Sequence, residues 1–295
     1  MQVTTRQRNS ALLSMLVVVL VWGSAATVTK LAVEQMPAFL FAFLRNLVAS
    51  VCLIPFFISA KKKAAPGSTN APIGKLIAMG LTGISLFYIL FNISFYYTTA
   101  AVGALIQGFI PAGIIIMAVI FLKERLRQWQ VWGIIVSIIG VLLLGFSGDI
   151  PAARNAFLGN SLMLLSIVCW GAYTILSKSM LQYDPVYLSC MTIWIGTAGL
   201  LPAALYDLRG LQWPTISAGS WLAIFYLGIF SSAVCYILYN RALKILPAVQ
   251  VGNLMNFDPF FGAFFAVWLL HESLGWLQIT GALLVILGVM ITARK

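Results

Sequence analysis

The chain has 295 residues, of which 61% are hydrophobic and only 8% charged, with a mean hydropathy of +0.99. So little charge excludes a water-soluble globule, because soluble domains carry roughly a quarter of their residues as charge. The net charge of +11 does not point to nucleic acid, since the basic residues sit in short segments between apolar runs and are not interleaved with aromatics on a polar face.

Apolar windows of spanning length fall at 11–31, 38–59, 74–96, 101–122, 130–146, 157–177, 186–205, 220–241, 249–270 and 274–292. They predict an all-α integral membrane protein of ten transmembrane helices. Arg6 and Arg8 precede the first run, which extends through Val28. That is too long for the core of a signal peptide, so an uncleaved first span is expected. The polar stretch from Lys61 to Asn70 is expected to be a mobile cytoplasmic linker. The fifth window is short and is expected to cross with little tilt. Cys52, Cys169, Cys190 and Cys235 all lie in apolar runs without a paired spacing, so they read as packing residues and neither a disulfide nor a metal site is expected.

The two halves repeat. Trp22-Gly23 recurs as Trp170-Gly171, Lys30 as Lys178, Pro37 as Pro185, Tyr88 as Tyr236 and Asn92 as Asn240. Pro111 recurs as Pro259, Glu124 as Glu272, Gln130 as Gln278, Gly133 as Gly281 and Gly140 as Gly288. Every pair is 148 residues apart with no gap. Shared apolar composition does not produce that register, because Trp, Asn, Pro and Glu are uncommon in such sequence. Residues 1–148 and 149–295 are therefore read as two five-helix units.

Five is odd, so the second unit must enter the membrane inverted. With both termini cytoplasmic, 14 of the 18 Lys and Arg residues fall on the inner side, three fall outside, and Arg45 lies within the second span. The loop at 123–127 carries three basic residues, whereas its copy at 271–275 keeps Glu272 but has no Lys or Arg. Conversely, Arg241 and Lys244 replace Ile93 and Tyr96. Sequence persists while charge changes sides, as inversion requires.

No enzyme constellation is present. His271 is the single histidine and falls in a loop, no carboxylates pair within the apolar runs, and no phosphate-binding loop or Walker sequence occurs. A membrane enzyme, a scaffold subunit, an importer and a nucleotide-sugar-type exchanger are weaker readings. No cofactor is implied. Inverted repeats favour transport of a solute by alternating access, with a site near the midplane between the halves.

Polar residues at that depth are the site candidates. Asp258 lies about nine residues into the ninth span, roughly 14 Å at about 1.5 Å per residue. Its copy is Ile110, so the repeat does not demand it. Proton coupling and a hydrogen-bonded buried carboxyl are both open readings. Arg45 lies roughly 10 Å into the second span, where an outer-leaflet anchor and a cavity role stand about even. Pro111 and Pro259 deprive the carbonyls of Gln107 and Met255 of their helical donors and read as matched kinks, either hinges or static packing features. Asn253, Asn256 and Gln250 are placed on one face of the ninth span, with Asp258 turned roughly 80° from Gln250. Trp22, Tyr88, Asn92, Gln107, Trp170, Tyr173, Tyr236 and Asn240 complete an aromatic and amide lining, which suits a mid-sized organic solute better than an inorganic ion. Gly133 with Gly140 and Gly281 with Gly288 mark close packing or dimerisation faces, leaving monomer and homodimer open.

The paired Trp-Gly dipeptides, the prolines Pro111 and Pro259 ahead of Leu-Lys-Glu-Arg (122–125) and Leu-His-Glu-Ser (270–273), and the closing glycine pairs resemble the drug/metabolite transporter superfamily. The likeness is to its EamA-type ten-helix members and covers nearly the whole chain. It implies a central cavity lined by the first, third, fourth, sixth, eighth and ninth spans, with the fifth and tenth as a peripheral scaffold. It also implies a bacterial inner-membrane protein that exports amino acids or other metabolites, driven by proton exchange or by the solute gradient. Trp22, Tyr88 and Trp170 suit a cavity for amino acids with large side chains. An intramembrane Asp258 is not a feature the family is expected to share.

Overall fold

The computed structural model describes residues 4–33, 35–63, 65, 67–94, 97, 106, 108–144, 156–210, 216–258, 261–262, 264–265 and 276–293. Every regular element among them is helical. Among the described residues, five helices are long and apolar enough to cross a membrane, or six if a bent pair counts as one span. Between 33% and 56% of the most apolar window of those five is buried within the protein. The remaining surface carries outward-facing side chains such as Leu13, Val51, Phe121, Trp132, Phe157, Leu222 and Met290, an apolar exterior that only lipid covers.

The first half opens with α1 (Thr5–Val33), α2 (Ala38–Cys52) and α3 (Ile54–Lys63). The single second span expected from the sequence is bent by 42° between α2 and α3. Pro55, one residue into α3, has no N–H for the Val51 carbonyl, while the Leu53 N–H still donates to the Ala49 carbonyl at 2.9 Å. The third span is α4 (Ile73–Gly80), a π-helical segment (Leu81–Leu86) and α5 (Phe87–Ser94). Then come α6 (Ile110–Leu122) and α7 (Gln128–Leu144). The second half comprises α8 (Ala156–Lys178), α9 (Pro185–Asp207), α10 (Ala218–Tyr226), a second π-helical segment (Leu227–Val234), α11 (Cys235–Ile245), α12 (Ala248–Leu254) and α13 (Trp276–Ala293).

The linker at 61–70 is tied down more firmly than its composition suggests. Residues to Lys63 continue α3, and the Ser68 carbonyl accepts from the Asp184 N–H at 2.9 Å. The two π segments were not foreseen at all. They end at Leu86 and Val234, positions separated by the repeat distance of 148 residues, so both units carry the same irregularity.

The expected pairing of the fifth and tenth spans holds within the chain, since α7 and α13 pack lengthwise against each other. A side chain added at Gly288 would collide with the Gly133 carbonyl and with Ser137, so this glycine is needed for that intramolecular approach. The core proper lies between the halves. Tyr173, Tyr236, Tyr239, Ile114, Met79 and Leu53 are fully buried there. All four cysteines are free thiols, and all but Cys52 are buried.

Candidate functional site

Aromatic side chains from both halves meet at the seam. Trp22 of α1 packs edge-on to Trp170 of α8, with ring centroids 5.2 Å apart, and lies 6.1 Å from Tyr236 and 5.5 Å from Tyr239 of α11. Trp170 in turn lies 5.2 Å from Tyr173, 5.8 Å from Tyr236 and 5.4 Å from Phe87 of α5. Each of these Trp residues is followed by a Gly that admits another neighbour. A side chain at Gly23 would strike Phe261 and the Asp258 carbonyl, and one at Gly171 would strike Met117. The Trp-Gly dipeptide thus places a large ring and permits helix contact at the same level of the bundle. Tyr239 belongs to this cluster, and its hydroxyl shares a hydrogen bond of 2.7 Å with Thr174. It escaped the sequence reading because its first-half copy is Phe91, so no repeated polar residue marked it.

The π segments give the cluster its polar fixings. A π turn lengthens the hydrogen-bonding ring and frees backbone carbonyls for other donors. Tyr236 donates its hydroxyl to the Gly83 carbonyl at 2.8 Å, and Trp22 donates its indole N–H to the Ser231 carbonyl at 3.0 Å. Gly83 and Ser231 are equivalent positions of the two units, 148 residues apart. Both bonds cross from one unit to the other. Hydropathy and helical periodicity carry no trace of a π turn, so this pair of junctions lay beyond the sequence reading.

Arg45 points into the bundle. It is 5% exposed, with its guanidinium donating to Ser231 Oγ at 3.0 Å and to Ser232 Oγ at 3.2 Å, and it sits 5.0 Å from the centre of the Tyr88 ring. No ion pair joins it to Asp258. One Asp258 carboxylate oxygen is buried with no hydrogen-bond partner, and both residues lie within electrostatic range of the Cys235 thiol. Three other described carboxylates are committed elsewhere. Asp184 caps α9 through Val186 and Tyr187, Asp207 accepts from Phe39 and Leu40 at the start of α2, and Glu124 accepts from Ala248 and Val249 at the start of α12.

The remaining candidates separate. Asn240 is buried and donates to the Tyr173 hydroxyl at 2.8 Å and to Ser189 Oγ at 2.9 Å, while its carbonyl oxygen accepts from Ser177. Its copy Asn92 instead donates to the Ala38 carbonyl at 3.2 Å, away from the rings. Asn253 and Asn256 do meet, at 3.2 Å, but not along one helix face. α12 ends at Leu254, and Met255-Asn256 form a turn. The Met255 carbonyl, left without a donor by Pro259, accepts from the Asp258 N–H at 3.0 Å. The helical-wheel angle between Gln250 and Asp258 therefore has no meaning across this break. Pro111 stands in the first turn of α6, directly after a turn at 108–109. Gln107, Pro259 and the segment 271–275, with His271 and Glu272, lie outside the described residues.

Lys178 and Glu124, noted from sequence only as repeat markers, have a joint task. Lys178 Nζ donates to the carbonyls of Leu243, at 2.6 Å, and Leu246 at the end of α11. Glu124 takes the first N–H groups of α12, at 2.8 and 3.0 Å. The turn between α11 and α12 is thus pinned from both sides.

The comparisons agree with this architecture. A probable amino-acid metabolite efflux pump of Salmonella typhimurium is 28% identical over 96% of this chain and 94% of its own length. An uncharacterized transporter of Bacillus subtilis is 29% identical over 83% of this chain and 80% of its own. A probable terminal-alkyne amino-acid exporter of Streptantibioticus cattleyicolor is 24% identical over 97% and 94%. A solved crystal structure aligns with a TM-score of 0.81 over 97% of this chain and 96% of that one, at 18% identity, a likeness of fold alone. These relatives are transporters and efflux pumps by name, not enzymes. The EamA-like transporter signature matches residues 9–146 and again 157–294, one match for each half. The chain is a multi-pass membrane protein of the EamA-like transporter family, built from two copies of that family's unit.

Proposed function

We propose that this protein is a secondary exporter of small organic metabolites, foremost amino acids and amphipathic compounds, working by alternating access. Ten spans form two inverted five-helix units, residues 1–148 and 149–295, around a central cavity. Both termini face the cytoplasm of a bacterial inner membrane. The observation that carries the reading is the aromatic cluster on the seam, where Trp22, Trp170, Tyr173 and Tyr236 meet and side chains of each unit bond to the π-segment carbonyl of the other. A seam bonded through corresponding carbonyls of both units, by different donors, is suited to exchange between two arrangements. The names of two relatives, an amino-acid metabolite efflux pump and an amino-acid exporter, support the solute class.

In this reading Trp22, Tyr88 and Trp170 face the solute, Asn92, Gln107, Tyr173, Tyr236, Asn240, Asn253 and Asn256 complete the lining, and Asp258 and Arg45 are the charged groups available for coupling. Asp258 carries the coupling proton, because its carboxylate oxygen has no partner to hold the charge in place. Pro259 supplies a hinge. The protein acts as a monomer or homodimer.

The test is counterflow in proteoliposomes loaded with unlabelled amino acid. Labelled solute should accumulate transiently above the protein-free level, with large hydrophobic amino acids favoured over small ones. Absence of counterflow for every amino acid tried would overturn the solute class, and restoration by another metabolite would redirect it.

A further inference from the structure

Within that transport reading, we infer that Arg45 is the receptor for a carboxylate group on the solute. A guanidinium buried in the bilayer interior is unfavourable unless something balances its charge. Arg45 is 5% exposed, yet among the described residues its hydrogen-bond partners are only the neutral hydroxyls of Ser231 and Ser232, and its guanidinium carbon lies 5.0 Å from the centre of the Tyr88 ring. The guanidinium has five N–H donors. The bonds to the two serines use Nε and Nη2, and Nη1 has no hydrogen-bond partner. Among the described residues no carboxylate forms an ion pair with it, and Asp184, Asp207 and Glu124 are already spent on helix N-termini. An uncompensated, planar, always-charged fork is the group that binds carboxylate in two parallel hydrogen bonds.

The surroundings specify what the carboxylate is attached to. Tyr88 touches Phe87 with ring centroids 5.2 Å apart, and Phe87 lies 5.4 Å from Trp170, which meets Trp22. A path of rings, partly accessible at Tyr88, Phe87 and Trp22 and buried at Trp170, therefore leads from the guanidinium to the centre of the seam. Ser231 joins the two ends, because its hydroxyl accepts from Arg45 while its carbonyl accepts from Trp22. A solute with a carboxylate at Arg45 and an apolar or aromatic body along Tyr88 and Phe87 fits this arrangement. Solute binding would then neutralise the buried charge, so loaded and empty protein differ most at the contact between α2 and the second π segment.

The test uses three related probes in proteoliposomes: phenylalanine, N-acetylphenylalanine and phenylalaninamide. Wild-type protein should show a KM at least about tenfold lower for the two carboxylates than for the amide, the ratio expected for one charge-assisted contact. Arg45→Gln should raise the KM of both carboxylates by at least about tenfold while leaving amide transport within about twofold. Arg45→Lys, which keeps the charge but not the fork, should fall between them. Equal losses for all three probes in Arg45→Gln would show a purely structural role and overturn the inference. So would carboxylate transport that is indifferent to both substitutions. If wild-type protein carries the amide but neither carboxylate, the carboxylate receptor is wrong while the exporter stands. Failure of all three in wild type would remove the amino-acid class itself.

Discussion

At the scale of single residues, the described carboxylates divide into three that hold structure and one that does not. Asp184, Asp207 and Glu124 each satisfy two backbone N–H groups at a helix start. Asp258 has an oxygen with no such partner, and Asp258→Asn should therefore leave folding intact while abolishing flux driven by a pH gradient. Solute counterflow, which needs no proton gradient, should persist in that variant. A variant still driven by a pH gradient would show that Asp258 is not the coupling group. Trp22→Phe keeps a ring in the cluster but removes the donor to Ser231, so its effect isolates one inter-unit bond. It should lower thermal stability in detergent by about 1 kcal/mol, the usual worth of a hydrogen bond. Trp22 and Glu124 were visible in the sequence as rare types at repeated positions, and Asp258 as a carboxyl in an apolar run. Tyr239, Ser231 and Ser232 were not, because their copies are Phe91, Gly83 and Ile84 and carry no shared polar signal.

At the scale of elements, each departure from regular helix has a local cause that the sequence held only in part. Pro55 accounts for the bend between α2 and α3 and was on view as a proline in an apolar run. The consequence of a proline depends on its neighbours. Pro111 costs its helix little, since an N–H in the first turn has no intrahelical partner in any case. The matched prolines should therefore behave differently. Pro111→Ala should leave transport within about twofold, since a first-turn proline removes no helical bond. Pro259→Ala restores a donor for Met255 and should slow turnover at least about tenfold, an effect in keeping with hinge substitutions. Equal behaviour of the two, measured as initial counterflow rates, would end the hinge assignment. The π segments at Leu81–Leu86 and Leu227–Val234 have no such marker, because a π turn is set by what the freed carbonyls can find across the seam. Glu124→Gln keeps the shape of the cap but loses its charge at the start of α12, and should lower stability by about 1 kcal/mol.

At the scale of the whole molecule, the duplication was the most legible feature, since a constant offset of 148 residues needs only the sequence, and the family signature falls once on each half. The meeting of the halves was less legible. Packing between spans depends on which small residues oppose each other, as Gly288 opposes Gly133 and Ser137, and no window of hydropathy contains that information. The account holds that the seam between the halves opens to one face of the membrane and then to the other. Accessibility of one seam residue from both faces tests it most directly. With the four native cysteines replaced, Tyr88→Cys is reacted with a membrane-impermeant maleimide in right-side-out and in inside-out vesicles. Alternating access predicts labelling in both preparations, with phenylalanine shifting the balance between them. Labelling from one face only, unchanged by solute, would contradict it.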